Sequence, residues 1–384
     1  MSIVEVEDIV RKRYGESAQT HVAELCCPTD YDPKFLKAIP DEVLERDYGC
    51  GDPSRHLREG EIVLDLGSGT GKICFIAAQV VGSRGRVIGV DMTAEMLDIA
   101  RRNAPLVAER LGYANVEFRR GRIQDLGLDL DRFEEELKAQ PVSDLKGLLA
   151  AESRAEDLRQ TEPLVATESV DVVVSNCVLN LVENSDKQRL IEEIFRVLVI
   201  GGRAVISDIL SDEPVPEELQ NEADLWSGCI SGAWTEGGFL EAFEAAGFYG
   251  VRILERQAEP WRTVQGIEFR SVTVEAFKGK QGPCYERRQA VIYKGPFKEV
   301  VDDDGHRIKR GQRYAVCDKT YKLYQRAPYA QFFEAIAPLE EVPLDQARLF
   351  DCTQDATRDP HETKGLEYDR TTEAQACCEP GDCC

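Results

Sequence analysis

The 384-residue sequence predicts an α/β protein with a doubly wound, Rossmann-like parallel sheet, helices on both faces, and a smaller, partly β C-terminal region. Three observations carry that expectation. Short apolar runs of strand composition recur from Ile62 onward: IVLDL, RVIGV, VEFRR, VDVVVSN and RAVISDI. Helical stretches separate most of them. A glycine-rich turn, LGSGTG, leads out of the first run.

In chain order, residues 1–60 read as a helical cap. They hold a periodic apolar stretch over 4–14, then CCPTDYDP and DYGCGDPS, which proline and glycine punctuate. Residues 61–280 form the sheet domain. Ser185 with Gln188 reads as a capping box that opens a helix. The apolar face of that helix is Leu190, Ile191, Ile194, Phe195 and Leu198, and Gly201–Gly202 is its stop. A second helix over 236–246 stops at Gly247, and VRILER and FRSVTVEAF close the sheet. Residues 126–167, acidic and rich in Leu, Glu and Ala, break the alternation and read as a helical insertion. Residues 210–235 form a loop region at the sheet edge. Residues 281–384 make the C-terminal region, with 302–305 as a hairpin turn and a polar tail from about 352 ending CCEPGDCC.

Composition narrows the function. A hydrophobic content of 42% and a charged content of 30% describe an ordinary globular chain. Asp and Glu number 70 against 47 Lys and Arg, a net charge of −23 that repels nucleic-acid backbones and anionic membranes. No apolar run approaches the roughly 18–20 residues that span a bilayer. The start, MSIVEVEDIV, lacks a signal peptide's basic and apolar regions. A cytoplasmic monomer is the expectation. There are 13 cysteines, three pairs of them adjacent, but no CxxC, and only four histidines, so a structural zinc site is not expected.

The turn VLDLGSGTG holds Asp65, Gly67, Ser68, Gly69, Thr70 and Gly71. Glycines there permit unusual dihedrals and let backbone N–H groups approach a ligand. The dinucleotide pattern G-x-G-x-x-G fails, because its third glycine would fall on Lys72. Asp65, at a strand end, suits the ammonium of an amino-acid-like ligand. Asp91, followed by Met92, ends the next strand where an acid meets ribose hydroxyls. Ile123 and Gln124 are positioned to flank an adenine, and Asn176 ends the fourth strand at the carboxyl edge. Together they predict S-adenosyl-L-methionine as cofactor. Cys177 then lies at the mouth of the cleft, and Cys229, in LWSGCISGAW, emerges at the same edge. Cys50 precedes the first strand, and Cys74 packs in a helix. Several thiols around a methyl donor suggest a soft acceptor.

These motifs resemble a known family. YGCG, LDLGSGTG, GVDM, SNCVLNL and SGCISGA together look like arsenite S-adenosylmethionine methyltransferases, over roughly 48–250. The resemblance implies a class I methyltransferase sheet and methylation of trivalent arsenic for detoxification. It implies Cys177 and Cys229 as arsenic ligands, and Cys50 as a third ligand or a resolving thiol. It also implies arsenite or its thiol conjugates as substrate, and thioredoxin or glutathione as reductant. Ser68 departs from the family, which commonly has a redox cysteine there; Cys74, Cys26 and Cys27 are candidate substitutes. The terminal CCEPGDCC reads either as an arsenic-capturing segment or as a tail whose thiols have no catalytic consequence. Two other functions fit parts of the sequence. A methyltransferase of an organic small molecule would want a base near the acceptor, and no histidine falls between His56 and His306. A non-enzymatic metalloid-binding protein would need neither Asp65, Asp91 nor the glycines.

Overall fold

The IVLDL run forms strand β1 (Ile62–Leu66), buried from its second residue on. In the computed structural model, β2 (Arg86–Asp91), β3 (Val116–Arg120), β4 (Val170–Asn176) and β5 (Leu198–Ser211) extend it in parallel. The strands β6 (Tyr249–Arg256), β7 (Arg262–Val264) and β8 (Ile267–Phe277) add an antiparallel edge. The order is β3-β2-β1-β4-β5-β8-β6, with β7 on β8. From β1 the chain builds outward to β3 on one side and then restarts with β4 on the other. The carboxyl ends of β1 and β4 therefore border the crevice in which such sheets bind ligands.

Apolar helix faces cover both sides of the sheet. One cluster joins Leu190, Ile191 and Ile194 of the helix Lys187–Val197 to Phe239 and Phe243 of Glu236–Ala245. The other packs the helices Lys72–Val81 and Ala94–Leu111 on the opposite face. Residues 3–18, 29–46, 48–353 and 355–366 are described. They fall into two units, Met1–Gly279 and Lys280–Cys384. In the second, Ala290–Tyr293 pairs antiparallel with Arg313–Ala315 and Phe333–Ile336. There, Glu299–Val301 and Arg307–Lys309 form the expected hairpin, turned by 302–305 with Gly305 at φ +83°. Cys26, Cys27 and the CCEPGDCC tail lie outside the described residues. Among those residues, no helix is long and apolar enough to cross a membrane.

Two local expectations are corrected. Ser185 does not cap the helix, which starts at Lys187 with Asp186 before it. The Ser185 N–H and hydroxyl donate instead to the Glu183 carboxylate, two residues upstream. Gly201–Gly202 do not stop that helix either. It ends at Val197 because Leu198 is extended, at φ −69° and ψ 137°. The glycines lie inside β5, where Gly201 at φ +91° accompanies a register jump against β4. The insertion at 126–167 is helical as expected, over Leu130–Ala139 and Leu145–Thr161. Asp129 and Asp144 accept the N-terminal backbone donors of these helices.

Candidate active site

The turn after β1 is tight enough to put Gly67 at φ +70° and Gly71 at φ +93°. A Cβ on Gly67 would lie 2.4 Å from Val178 Cγ1, and one on Gly71 2.7 Å from Phe118 Cζ. Neither position has room for a side chain. The turn is pinned to β2. Gly67 and Ser68 N–H donate to the Val90 carbonyl at 2.8 and 3.0 Å, and Gly69 N–H donates to Asp91 Oδ2 at 2.9 Å. Burial raises the Asp91 carboxyl above its ordinary range, although Thr93 and Gly69 N–H groups pull the other way. Asp65 is buried at the carboxyl end of β1 and accepts from the Cys74 thiol at 3.1 Å.

One cleft, about 1030 Å³ with its open mouth, is lined by Asp65, Gly67, Ser68, Gly69, Thr70, Asp91, Met92, Ile123, Gln124, Asn176 and Cys177. Its lining brings together residues expected to hold an adenosyl amino acid. Two observations fit such a ligand. Ser68 Oγ is buried in the cleft wall with no hydrogen-bond partner, which a polar ligand atom would satisfy. A Cβ on Gly69 would meet nothing, so the backbone there is open to approach. Gln124 is less available than its position suggested. Its amide donates at 3.1 Å to Glu7 of the N-terminal helix Ile3–Ser17.

Asn176 has a role that its position in sequence did not reveal. Its Oδ1 accepts from Cys50 and Gly51 N–H at 2.9 and 3.0 Å, while its Nδ2 donates to the Gly51 carbonyl at 2.8 Å and the Tyr31 hydroxyl at 3.2 Å. All four hydrogen-bonding positions of the amide are thereby used. A Cβ on Gly49 would lie 2.3 Å from Asn176 Nδ2, and one on Gly51 2.7 Å from Ser207 Cβ. The G-C-G spacing follows from this geometry. Flanking glycines let the chain lie flat against β4 and β5, and so carry Cys50 to the sheet edge. Asn176→Ala would leave two buried N–H groups without an acceptor. We expect it to cost about 2–4 kcal/mol, read as a lower urea midpoint, and to speed alkylation of Cys50.

Cys177 and Cys229 are strained. Both take left-handed backbone, at φ +64° and +62°, a conformation that costs a non-glycine residue about 1–3 kcal/mol. Hydrogen bonds hold them there. Cys177 N–H donates to the Ser207 carbonyl at 2.8 Å, Cys229 N–H to Trp226 at 3.0 Å, and the Cys229 thiol to the Cys177 carbonyl at 3.2 Å. Gly232 fixes the same loop, because a Cβ there would lie 2.0 Å from the Asn180 carbonyl oxygen. The Cys177 thiol interacts with those of both Cys229 and Cys50 and is the neighbour they share, although the three sulfurs do not all lie within 4.8 Å of one another. Its bond with Cys229 lowers the Cys177 thiol, but contact with Cys50, burial and the nearby Asp208 outweigh that and hold it well above its ordinary value. Contact with Cys177, then burial, raises Cys229 likewise. Apolar residues including Val10, Leu181, Trp226 and Ile230 surround them.

Comparison with known proteins identifies the family. Residues 57–136 and 130–247 match a methyltransferase domain, and 280–368 match a domain of unknown function. An arsenite methyltransferase of Aquipseudomonas alcaligenes is 32% identical, covering 97% of this chain and all of that one. The chain belongs to the arsenite methyltransferase family. The human arsenite methyltransferase is also 32% identical, over 80% of this chain and 75% of its own. The solved arsenic (III) S-adenosylmethionine methyltransferase from Chlamydomonas reinhardtii superposes with a TM-score of 0.55 at 28% identity, covering 85% of this chain and all of that one. The first unit is thus an S-adenosylmethionine-dependent methyltransferase domain of this family.

Within this family member, several site residues escaped the sequence reading. Tyr14 of the N-terminal helix hydrogen-bonds the Cys229 side chain, and burial, then the charges of Cys229 and Cys177, raise its hydroxyl. Asp208 in β5 is fully buried and accepts from Leu179 and Ile209 N–H at 2.9 and 2.8 Å and from the Asn180 amide at 2.9 Å. Burial pushes its carboxyl up to about 7, and pushes the Lys187 ammonium nearby down to about 8. No composition signal marks a lone Asp inside a strand. Between about pH 4 and 7 the folded chain keeps the Asp208 proton that the unfolded chain has lost, so this group's contribution to stability falls as pH rises through that window. Asp208→Asn should remove a slope of about 1.4 kcal/mol per pH unit from urea unfolding measured across it. Cys74 is fully buried between helix and sheet and does not line the cleft, so it is not placed to replace a loop cysteine at Ser68.

Proposed function

We propose that this chain methylates trivalent arsenic held by Cys177 and Cys229, with Cys50 as the third thiol, and that this detoxifies arsenic in the cytoplasm. The meeting of those thiols around Cys177, at the mouth of the cleft holding Asp65, Ser68 and Asp91, carries the reading. Asp65 would take the cofactor's ammonium and Asp91 its ribose hydroxyls, with Met92 and Ile123 as apolar walls and Gly67, Ser68, Gly69, Thr70 and Gln124 completing the pocket, while Gly71, packed against Phe118 outside the lining, would shape the turn. S-adenosylmethionine, when bound, supplies an electrophilic methyl group on a sulfonium.

The remaining work falls to the thiols. Arsenite exchanges its hydroxyls for thiolates, and each thiol proton leaves with a hydroxyl as water. The raised Cys177 and Cys229 thiols therefore need no prior deprotonation. Arsenic's own lone pair attacks, so no general base is required, and no histidine among the described residues lines the cleft. Cysteines fixed in a strained backbone aim that lone pair, and the apolar surroundings exclude water. Methyl transfer oxidises arsenic from the trivalent to the pentavalent state. Two electrons from a thiol reductant, thioredoxin or glutathione, would reset it, with Cys50 able to form the intervening disulfide. The chain would act as a monomer on arsenite or its thiol conjugates.

The test incubates purified protein with arsenite, S-adenosylmethionine and a dithiol, and reads the products by mass spectrometry. Methylated arsenic is expected. Tight arsenite binding with no methylated product would favour a binding protein instead. Ser68→Cys places a thiol in the cleft wall and should shift the products toward more methyl groups per arsenic at equal conversion.

A further inference from the structure

The C-terminal unit holds a second trio of cysteines. The sulfurs of Cys284, Cys317 and Cys352 lie within 4.8 Å of one another, all as free thiols. Sequence spacing gave no sign of them, since no CxxC exists and the three come from distant stretches. The backbone staples these stretches together. Phe350 N–H donates to the Cys284 carbonyl and Asp318 N–H to the Tyr285 carbonyl, each at 2.9 Å. Arg287 then bridges to Asp318 at 2.8 Å, next to Cys317. Cys317 is 1% exposed, while Cys284 and Cys352 are half-buried, so the trio has a closed floor and an open rim.

We propose that this trio is a second metalloid site, which binds trivalent arsenic as a neutral three-thiolate complex apart from the methyl-transfer site. Among the described residues, no histidine or carboxylate joins the trio as a fourth ligand. Structural zinc wants four ligands in a tetrahedron. Trivalent arsenic forms three bonds to sulfur and keeps its lone pair in the fourth direction. Charge points the same way. Arsenous acid and three thiols yield the three-thiolate complex and three waters. Three As–O bonds become three As–S bonds, no electron changes hands, and no net charge is buried. A divalent cation would instead have to expel three protons and leave a charged centre. Burial raises Cys317 and Cys352, which adds to that cost.

The experiment counts arsenic per chain by elemental analysis after arsenite loading and desalting. It uses the full chain with Cys26, Cys27, Cys377, Cys378, Cys383 and Cys384 replaced by serine. Two arsenic atoms are expected. Adding Cys317→Ser should reduce the count to one. Adding Cys50→Ser, Cys177→Ser and Cys229→Ser instead should also leave one, bound to three sulfurs by X-ray absorption. This second chain tests the trio whether or not the methyl-transfer reading holds. Cys284→Ala and Cys352→Ala, at the open rim, repeat the loss if Cys317→Ser disturbs folding as read by near-ultraviolet circular dichroism. An arsenic count unchanged by all three variants overturns the proposal. So does a zinc ion lost with these thiols but not displaced by arsenite.

Discussion

Replacing Cys177 with serine is expected to lower kcat/KM for arsenite methylation by about 10³-fold or more, with S-adenosylmethionine affinity held within about twofold. The argument is geometric. Cys177 contacts both Cys229 and Cys50, so its loss removes the shared member of the trio. A serine hydroxyl accepts the same left-handed backbone and nearly the same volume, but offers arsenic no bond better than the ones it already has with oxygen. Cys229→Ser should act similarly, and the double variant should be little worse than either single one, because ligands that act as a unit are strongly non-additive. Product analysis by mass spectrometry gives the rate, and calorimetry gives the cofactor affinity. Near-normal turnover in both single variants would sink the thiolate mechanism.

The second large effect belongs to the cofactor end. Asp65→Ala should weaken S-adenosylmethionine binding about 100-fold, as expected for loss of a charge-assisted hydrogen bond worth about 1.5–3 kcal/mol. Asp65 is only 2% exposed, so no solvent screening softens the loss. Arsenite binding to the thiols should be unaffected. Calorimetry on the variant separates the two, and parallel loss of both affinities would mean that Asp65 serves the fold rather than the ligand.

The sheet was readable because its strands are short apolar runs bounded by glycine, and the cofactor turn because glycine and aspartate leave a dense local pattern. Cys177 and Cys229 were placed by chain position alone, since both follow strands whose carboxyl ends share an edge. What stayed hidden depends on contacts between distant stretches. Asn176 lines the cleft, but its grip on Gly51 across 125 residues, which anchors the Cys50 loop, has no local sequence signal. Ser185 failed as a cap because Glu183, two residues upstream, caps a short turn over Asn184–Asp186 and takes the Ser185 N–H and hydroxyl, which leaves Ser185 ahead of a helix that starts at Lys187. Tyr14 belongs to a helix whose partner is a loop more than two hundred residues later. The C-terminal thiols lie far apart in the chain and meet only after three stretches are stapled together.

The left-handed backbone at Cys177 and Cys229 has an evolutionary consequence. Glycine or asparagine would adopt those dihedrals with less strain, so selection for stability alone would steer both positions away from cysteine. Cysteine at both positions of this chain is a concession of stability to chemistry. In a lineage released from metalloid exposure, these two positions should be among the first to drift, while Gly67 and Gly71, where sterics and function agree, should persist.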